Sequence, residues 1–186
     1  MTNTKTWVID EMHSDILFKI KHLVISNVTG SFKKFEGKIV TRGDDFSNAK
    51  VNFTIDVKSI DTNQAQRDGH LQTGDFFAAD LYPQITFEST SFVNVGDSDY
   101  KMVGNLTLRG VTNPIELNVE YGGSEDNGHG VLKHGFEVTG VINRLTFGMV
   151  WNKLTDTGGL GLGENIKLIA NIQVAELVEE VVEIEA

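Results

Sequence analysis

Apolar and polar residues alternate one for one along much of this 186-residue chain. Val51, Phe53, Ile55 and Val57 interleave with Asn52, Thr54, Asp56 and Lys58. Ile115, Leu117, Val119 and Tyr121 do the same with Glu116, Asn118 and Glu120. Ile166, Leu168, Ala170, Ile172 and Val174 follow the rule with Ile169 as the exception, and Ile16, Phe18 and Ile20 keep one apolar face. Successive side chains of a strand point to opposite faces, so a period of two with one wet face predicts antiparallel strands over a core. Further strands are expected near 4–10, 36–42, 84–93, 99–109 and 131–143. Turn-forming runs such as Gly43-Asp44-Asp45 and Gly122-Gly123 separate them. A closed barrel and a sandwich both satisfy this pattern. Closure removes sheet edges, and eight strands enclose room for side chains or one slender ligand. The expected fold is therefore all-β, an extended eight-stranded antiparallel barrel.

One segment departs from the rhythm. Residues 62–82 read as one or two short helical turns, with Thr62 placed to cap the first and Pro83 ending the second before Ile85-Thr86-Phe87. Residues 1–175 form the expected single domain, and 176–186 an acidic tail. Five of the 26 carboxylates lie in that tail, at Glu176, Glu179, Glu180, Glu183 and Glu185. Half of the formal net charge of −10 therefore belongs to the terminus. An acidic chain has no electrostatic grip on nucleic acid or on an anionic membrane as a whole, so no nucleic-acid partner is expected. No apolar run is long enough for a membrane-spanning helix, so stable membrane insertion is not expected either. The first residues carry no apolar leader-like stretch, which makes the cytoplasm the expected compartment, or the periplasm if a leader once preceded them.

Catalytic signatures are sparse. The chain has no cysteine and no G-x-S-x-G elbow, which excludes thiolate chemistry and the hydrolase nucleophile turn. Gly158-Gly159-Leu160-Gly161-Leu162-Gly163 lacks both phosphate-loop spacings and precedes a strand rather than a helix. It reads as a hairpin connection or a cavity-mouth loop. His13 and His22 are nine residues apart, and His129 and His134 five, odd spacings that put each pair on opposite faces of a strand. No metal site or cofactor is expected, and His13 and His70 are read as hydrogen-bonded to backbone or carboxylates. Arg67-Asp68-Gly69-His70 is the densest polar cluster, suited to pinning the helical segment or to meeting a polar head group.

Ordered short motifs run nearly end to end. Trp7-Val8-Ile9-Asp10, His13-Ser14, Phe18-Lys19-Ile20-Lys21-His22 and Val28-Thr29-Gly30-Ser31-Phe32 come first. Ser59-Ile60-Asp61-Thr62, Arg67 to Leu71, Asp75-Phe76-Phe77, Tyr82-Pro83 and Ile85-Thr86-Phe87 follow. Gly104 to Thr112, Pro114, Arg144 and Phe147-Gly148 complete the set. Together they resemble the YceI-like, lipocalin-like polyisoprenoid-binding proteins. The glycine-rich 158–163 loop and the acidic tail lie outside that pattern.

The resemblance implies a barrel with a helical segment over one side and an apolar tunnel for a long isoprenoid chain, such as that of an isoprenoid quinone, or another amphiphilic lipid. It implies wall residues Phe18, Ile20, Phe53, Ile55, Phe76, Phe77, Phe87, Leu117 and Val119, with Arg67, Asp68 and His70 at the mouth. The expected role is non-catalytic binding, transport or storage, and a homodimer is compatible with it. Two alternatives stand beside it: an enzyme using His70 with Asp68 on an amphiphilic substrate, and a filled barrel serving as a stress-related interaction module.

Overall fold

The computed structural model describes residues 3–178. Eleven strands form one antiparallel sheet: β1 (Thr4–Ile9), β2 (Asp15–His22), β3 (Ser26–Phe32), β4 (Phe35–Arg42), β5 (Asp45–Asp56), β6 (Ile60–Asp61), β7 (Gln84–Gly96), β8 (Asp99–Leu108), β9 (Val111–Asp126), β10 (Leu132–Asn143) and β11 (Leu162–Glu176). Their order is β1-β4-β5-β7-β8-β9-β10-β11-β2-β3-β6, and β1 also pairs with β11. That extra pairing closes the ring β1-β4-β5-β7-β8-β9-β10-β11 into an eight-stranded barrel. The strands expected from alternation are all present.

Closure depends on β11 changing partner along its length. It pairs with β2 from Leu162 to Asn171 and with β1 from Val174 to Glu176. At the switch the Gln173 carbonyl accepts from the Asp10 backbone N–H and the Ser14 hydroxyl, and the Gln173 N–H donates back to Ser14 Oγ at 2.9 Å. The short 3₁₀ turn Glu11–His13 absorbs the bend between β1 and β2. His13 and His22 thus never share one strand. Ile169, the exception to the alternation, is registered opposite Leu17 and Thr139.

The interruption at 62–82 holds one helix, α1 (Ala65–Leu71), followed by turns. Its N-cap is Gln64, without a side-chain cap, rather than the expected Thr62. Asn63 takes a left-handed φ of 63°, which delays helix entry. Thr62 Oγ1 is already engaged, donating to Asp68 Oδ1 at 2.5 Å and accepting from Arg67 Nε at 2.7 Å. The acidic tail lies outside the described residues beyond Val178; Glu176, its first carboxylate, ends β11 and pairs with Lys5 at 3.1 Å.

Candidate functional site

The inward-facing residues do not fill the barrel. They surround a cavity of about 720 Å³, within the range of small-molecule sites. Phe18 and Ile20 of β2, Phe53 and Ile55 of β5, Phe87 of β7, and Leu117 and Val119 of β9 all line it. Phe76 and Phe77, from the turns after α1, complete the nine wall residues expected from the sequence.

Glycines keep this wall thin. Gly30 faces the Phe18 ring across the β2–β3 pair, and Gly37 faces Phe53 across β4–β5. Gly104 lies under the Phe87 ring and Gly140 under Leu117. A Cβ at any of these four positions would collide with the large side chain above it. Without it, each side chain lies down over the backbone of its neighbour and leaves the lumen open. The glycine excess thus serves the wall as well as the turns.

The inner end of the cavity meets Phe46 and Phe136. Behind them sit Trp7, Tyr121 and His134. Trp7 is fully buried and donates from Nε1 to Thr41 Oγ1 at 2.8 Å. The His134 ring stands edge-on to Trp7, centroids 4.6 Å apart, and its Nδ1 shares a 2.8 Å hydrogen bond with Tyr121 Oη. Its Nε2 is buried with no partner. Burial holds the His134 pKa below the usual histidine value, nearby Lys5 pushing the same way and Asp44 opposing.

At the other end, a strap connects the 3₁₀ helix Arg144–Phe147 to β11 and lies across the opening. Arg144 is 1% exposed and is the main organiser of this strap. Its Nε donates to the Gly163 carbonyl at 2.7 Å, and one terminal nitrogen to those of Met149 and Trp151 at 2.5 and 2.8 Å. A weaker bond reaches the Leu162 carbonyl at 3.4 Å. Desolvation lowers the Arg144 pKa, with Glu164 opposing; a guanidinium starts so high that it remains charged. Asn152 ties the same strap to Leu162 through both its amide oxygen and its nitrogen. Lys153, Leu154, Thr155, Asp156 and Gly161 line the opening, so the glycine-rich run belongs to a mouth loop, as expected.

Of the expected mouth residues, Arg67 and His70 line the cavity and Asp68 does not. Arg67 is held by Thr62 through its hydroxyl and carbonyl, both at 2.7 Å. Asp68 accepts from the Thr62 N–H and hydroxyl. Two helical positions apart, Asp68 and His70 point in different directions. His70 Nε2 instead meets Asp75 Oδ2 at 2.8 Å, while its ring packs edge-on against Phe76 and Trp151. The expected bond of His70 to a carboxylate is present, and the His70–Asp68 pair of the enzymatic alternative is corrected to His70–Asp75. His13 also meets a carboxylate, Asp10, at 3.0 Å, which in turn accepts from Lys133 at 2.9 Å. Those contacts, Lys133 first, hold the Asp10 pKa below the ordinary value.

Sequence reasoning missed Trp151, Phe136, Arg144's role as carbonyl donor, and the burial of His134. For the last a signal existed. His134, Phe136 and Val138 share one face of β10 by period two, so His134 had to point inward.

Comparison with known proteins gives a consistent pattern. The model of the YceI-like domain matches residues 7–174. A UPF0312 protein of Staphylococcus aureus is 40% identical over 174 residues, covering 93% of this chain and 97% of its own. The crystal structure of the Campylobacter jejuni YCEI protein superposes with a TM-score of 0.70 at 34% identity, covering 91% of this chain and 96% of that one. A polyisoprenoid binding domain from Saccharophagus degradans, implicated in plant cell wall breakdown, shares the fold at a TM-score of 0.66 and 16% identity, covering 92% and 98%.

Proposed function

This chain belongs to the YceI-like family, and from that premise we propose that it binds a long-chain isoprenoid or similar amphiphilic lipid in its barrel, without catalysis. The observation that carries the reading is the cavity itself: about 720 Å³, walled by Phe, Ile, Leu and Val, with Arg67, His70 and Lys153 gathered at the opening. Such a wall offers an apolar chain removal from water and nothing else. Burying about 400 Å² of chain is worth on the order of 10 kcal/mol at 25 cal/mol per Å². The cost of association, about 4–15 kcal/mol, offsets much of that and leaves a reversible complex suited to carriage or storage. The cationic and hydrogen-bonding groups at the opening suit an anionic or polar head group. The Saccharophagus degradans domain of the same fold supports the choice of isoprenoid. An isoprenoid quinone is one candidate cargo, the cytoplasm the proposed compartment, and a homodimer a compatible assembly.

A hollow barrel fits this role better than a filled interaction module does. Asp68 is engaged by Thr62 off the cavity wall, and His70, on the wall, faces Asp75 instead. Native mass spectrometry and lipid extraction of the purified protein, with displacement of an apolar fluorophore by prenyl lipids, test the reading. Prenyl lipids that neither bind nor displace the probe would overturn it. Phe53→Asp places a charge in the wall and abolishes uptake, whereas Asp56→Asn, whose side chain caps the Lys58 N–H away from the lumen, leaves uptake unchanged.

A further inference from the structure

The turn between β2 and β3 is built against its own backbone. Leu23 and Val24 both take left-handed φ values, 50° and 65°. Such turns ordinarily use Asn or Gly, and for a β-branched residue the conformation is a genuine outlier. This turn instead carries Leu23-Val24-Ile25, with Val24 76% and Ile25 86% exposed. Neither backbone preference nor the core explains the choice of residues.

A second apolar tip lies beside the first. The Leu23 N–H donates to the Gly161 carbonyl at 2.8 Å, joining the turn to the glycine-rich loop. That loop closes on itself through the Leu154–Leu160 bridge and exposes both leucines. Leu23 and Leu154 also line the cavity, so the exposed apolar rim is continuous with the lumen. Lys21, His22 and Lys153 flank the two tips, with Asp156 and Glu164 as the neighbouring carboxylates. Among the described residues, neither Lys21 nor Lys153 forms an ion pair.

We propose that this end of the barrel docks reversibly on a lipid bilayer, with the Val24–Ile25 tip and the Leu154–Leu160 loop entering the interfacial layer and the cavity mouth facing the acyl chains. The proposal rests on the reading of the cavity as a lipid site and adds the surface from which the lipid is exchanged. Shape selects a bilayer over a protein partner. Stable protein interfaces bury about 1,200–2,000 Å² across broad complementary patches, whereas here two narrow tips project. Their apolar ends suit the region below the head groups, and Lys21 and Lys153 behind them suit anionic head groups. The chain is acidic overall even without its terminal carboxylates, so attraction to an anionic surface is confined to the Lys21 and Lys153 end, which orients the encounter.

Flotation of the full-length protein with vesicles of phosphatidylcholine and phosphatidylglycerol tests this directly. The informative variant is Val24→Gly with Ile25→Ser, which removes the tip, relieves the backbone and touches no cavity-lining residue. Wild-type protein is expected to float with the vesicles, and the variant to bind about tenfold or more weakly. The variant's thermal midpoint should stay level or rise, and its uptake of an apolar fluorophore from solution should be unchanged. Undiminished vesicle binding by the variant, or none by the wild type, overturns docking. So does a dimer in sedimentation that the double variant dissolves, which would assign the tip to a second copy. Fluorophore uptake is a separate arm: refusal by the wild type overturns the lipid reading of the cavity, whatever the vesicles show.

Discussion

The two ends of this barrel differ in how far they rely on a buried side chain's hydrogen bonds. At the inner end, Trp7, Phe46, Tyr121, His134 and Phe136 pack ring against ring, with centroids 4.6–6.0 Å apart. At the mouth, one buried guanidinium gathers the carbonyls of a strap that is anchored in the core by Met149 and by Trp151 against Phe76 and His70. Aromatic packing resists opening because every ring loses many contacts at once. A strap held by the hydrogen bonds of a few side chains can open as a unit while the barrel stays intact. A container needs one end of each kind.

Three measurements separate these mechanisms. The largest effect is expected from Trp7→Ala, which leaves a ring-sized void and removes the indole donor to Thr41 Oγ1. A loss of about 3–5 kcal/mol in chemical denaturation is expected, with the whole barrel weakened together. Arg144→Met comes next, at roughly 3 kcal/mol, because several carbonyls lose a charged donor. Its signature is local: hydrogen exchange in residues 149–162 should accelerate well before exchange in the strands. If the strap kept its protection, the division between the two ends would fail.

The smallest effect is a pH dependence at the inner end. The folded protein holds the His134 pKa below its ordinary value, so the unfolded chain takes up this proton first as the pH falls. Stability contributed by the neutral, buried ring is complete above about pH 6.5 and declines below it. Thermal melts between pH 7 and pH 5 should show the decline, and His134→Phe should flatten it. A melt of the His134→Phe protein as pH-sensitive as the wild type would remove His134 from the account.

How much of this was legible in the sequence follows from what each feature depends on. Alternation in 51–57, 115–121 and 166–174 revealed the strands because a two-sided sheet imprints a local period. Nothing local marks the closure of the ring, since it rests on β11 exchanging β2 for β1 at Gln173. The wall residues were found as a set, through family motifs and their inward phase. Thr62 misled because a good capping residue was instead occupied by Asp68 and Arg67. His70 was assigned the wrong carboxylate because Asp68 is nearer in sequence, whereas the chain turns after Leu71 and brings Asp75 back. Hollow and filled barrels share one alternation; they differ in cross-strand neighbours such as Phe18 over Gly30, which only the register reveals.

Those ring-over-glycine pairs have a consequence for how a guest would come and go. A phenyl ring resting on a bare backbone has few rotamers to surrender when a chain slides in beside it. The bore is therefore gauged in advance, with its diameter set by hydrogen atoms at Gly30, Gly37 and Gly104 under rings and at Gly140 under Leu117 rather than by side chains that must yield. A smooth, rigid bore offers a flexible guest no favoured stopping point along its length. The tempo of arrival and departure would then fall to the strap, which Arg144 and Asn152 hold in place.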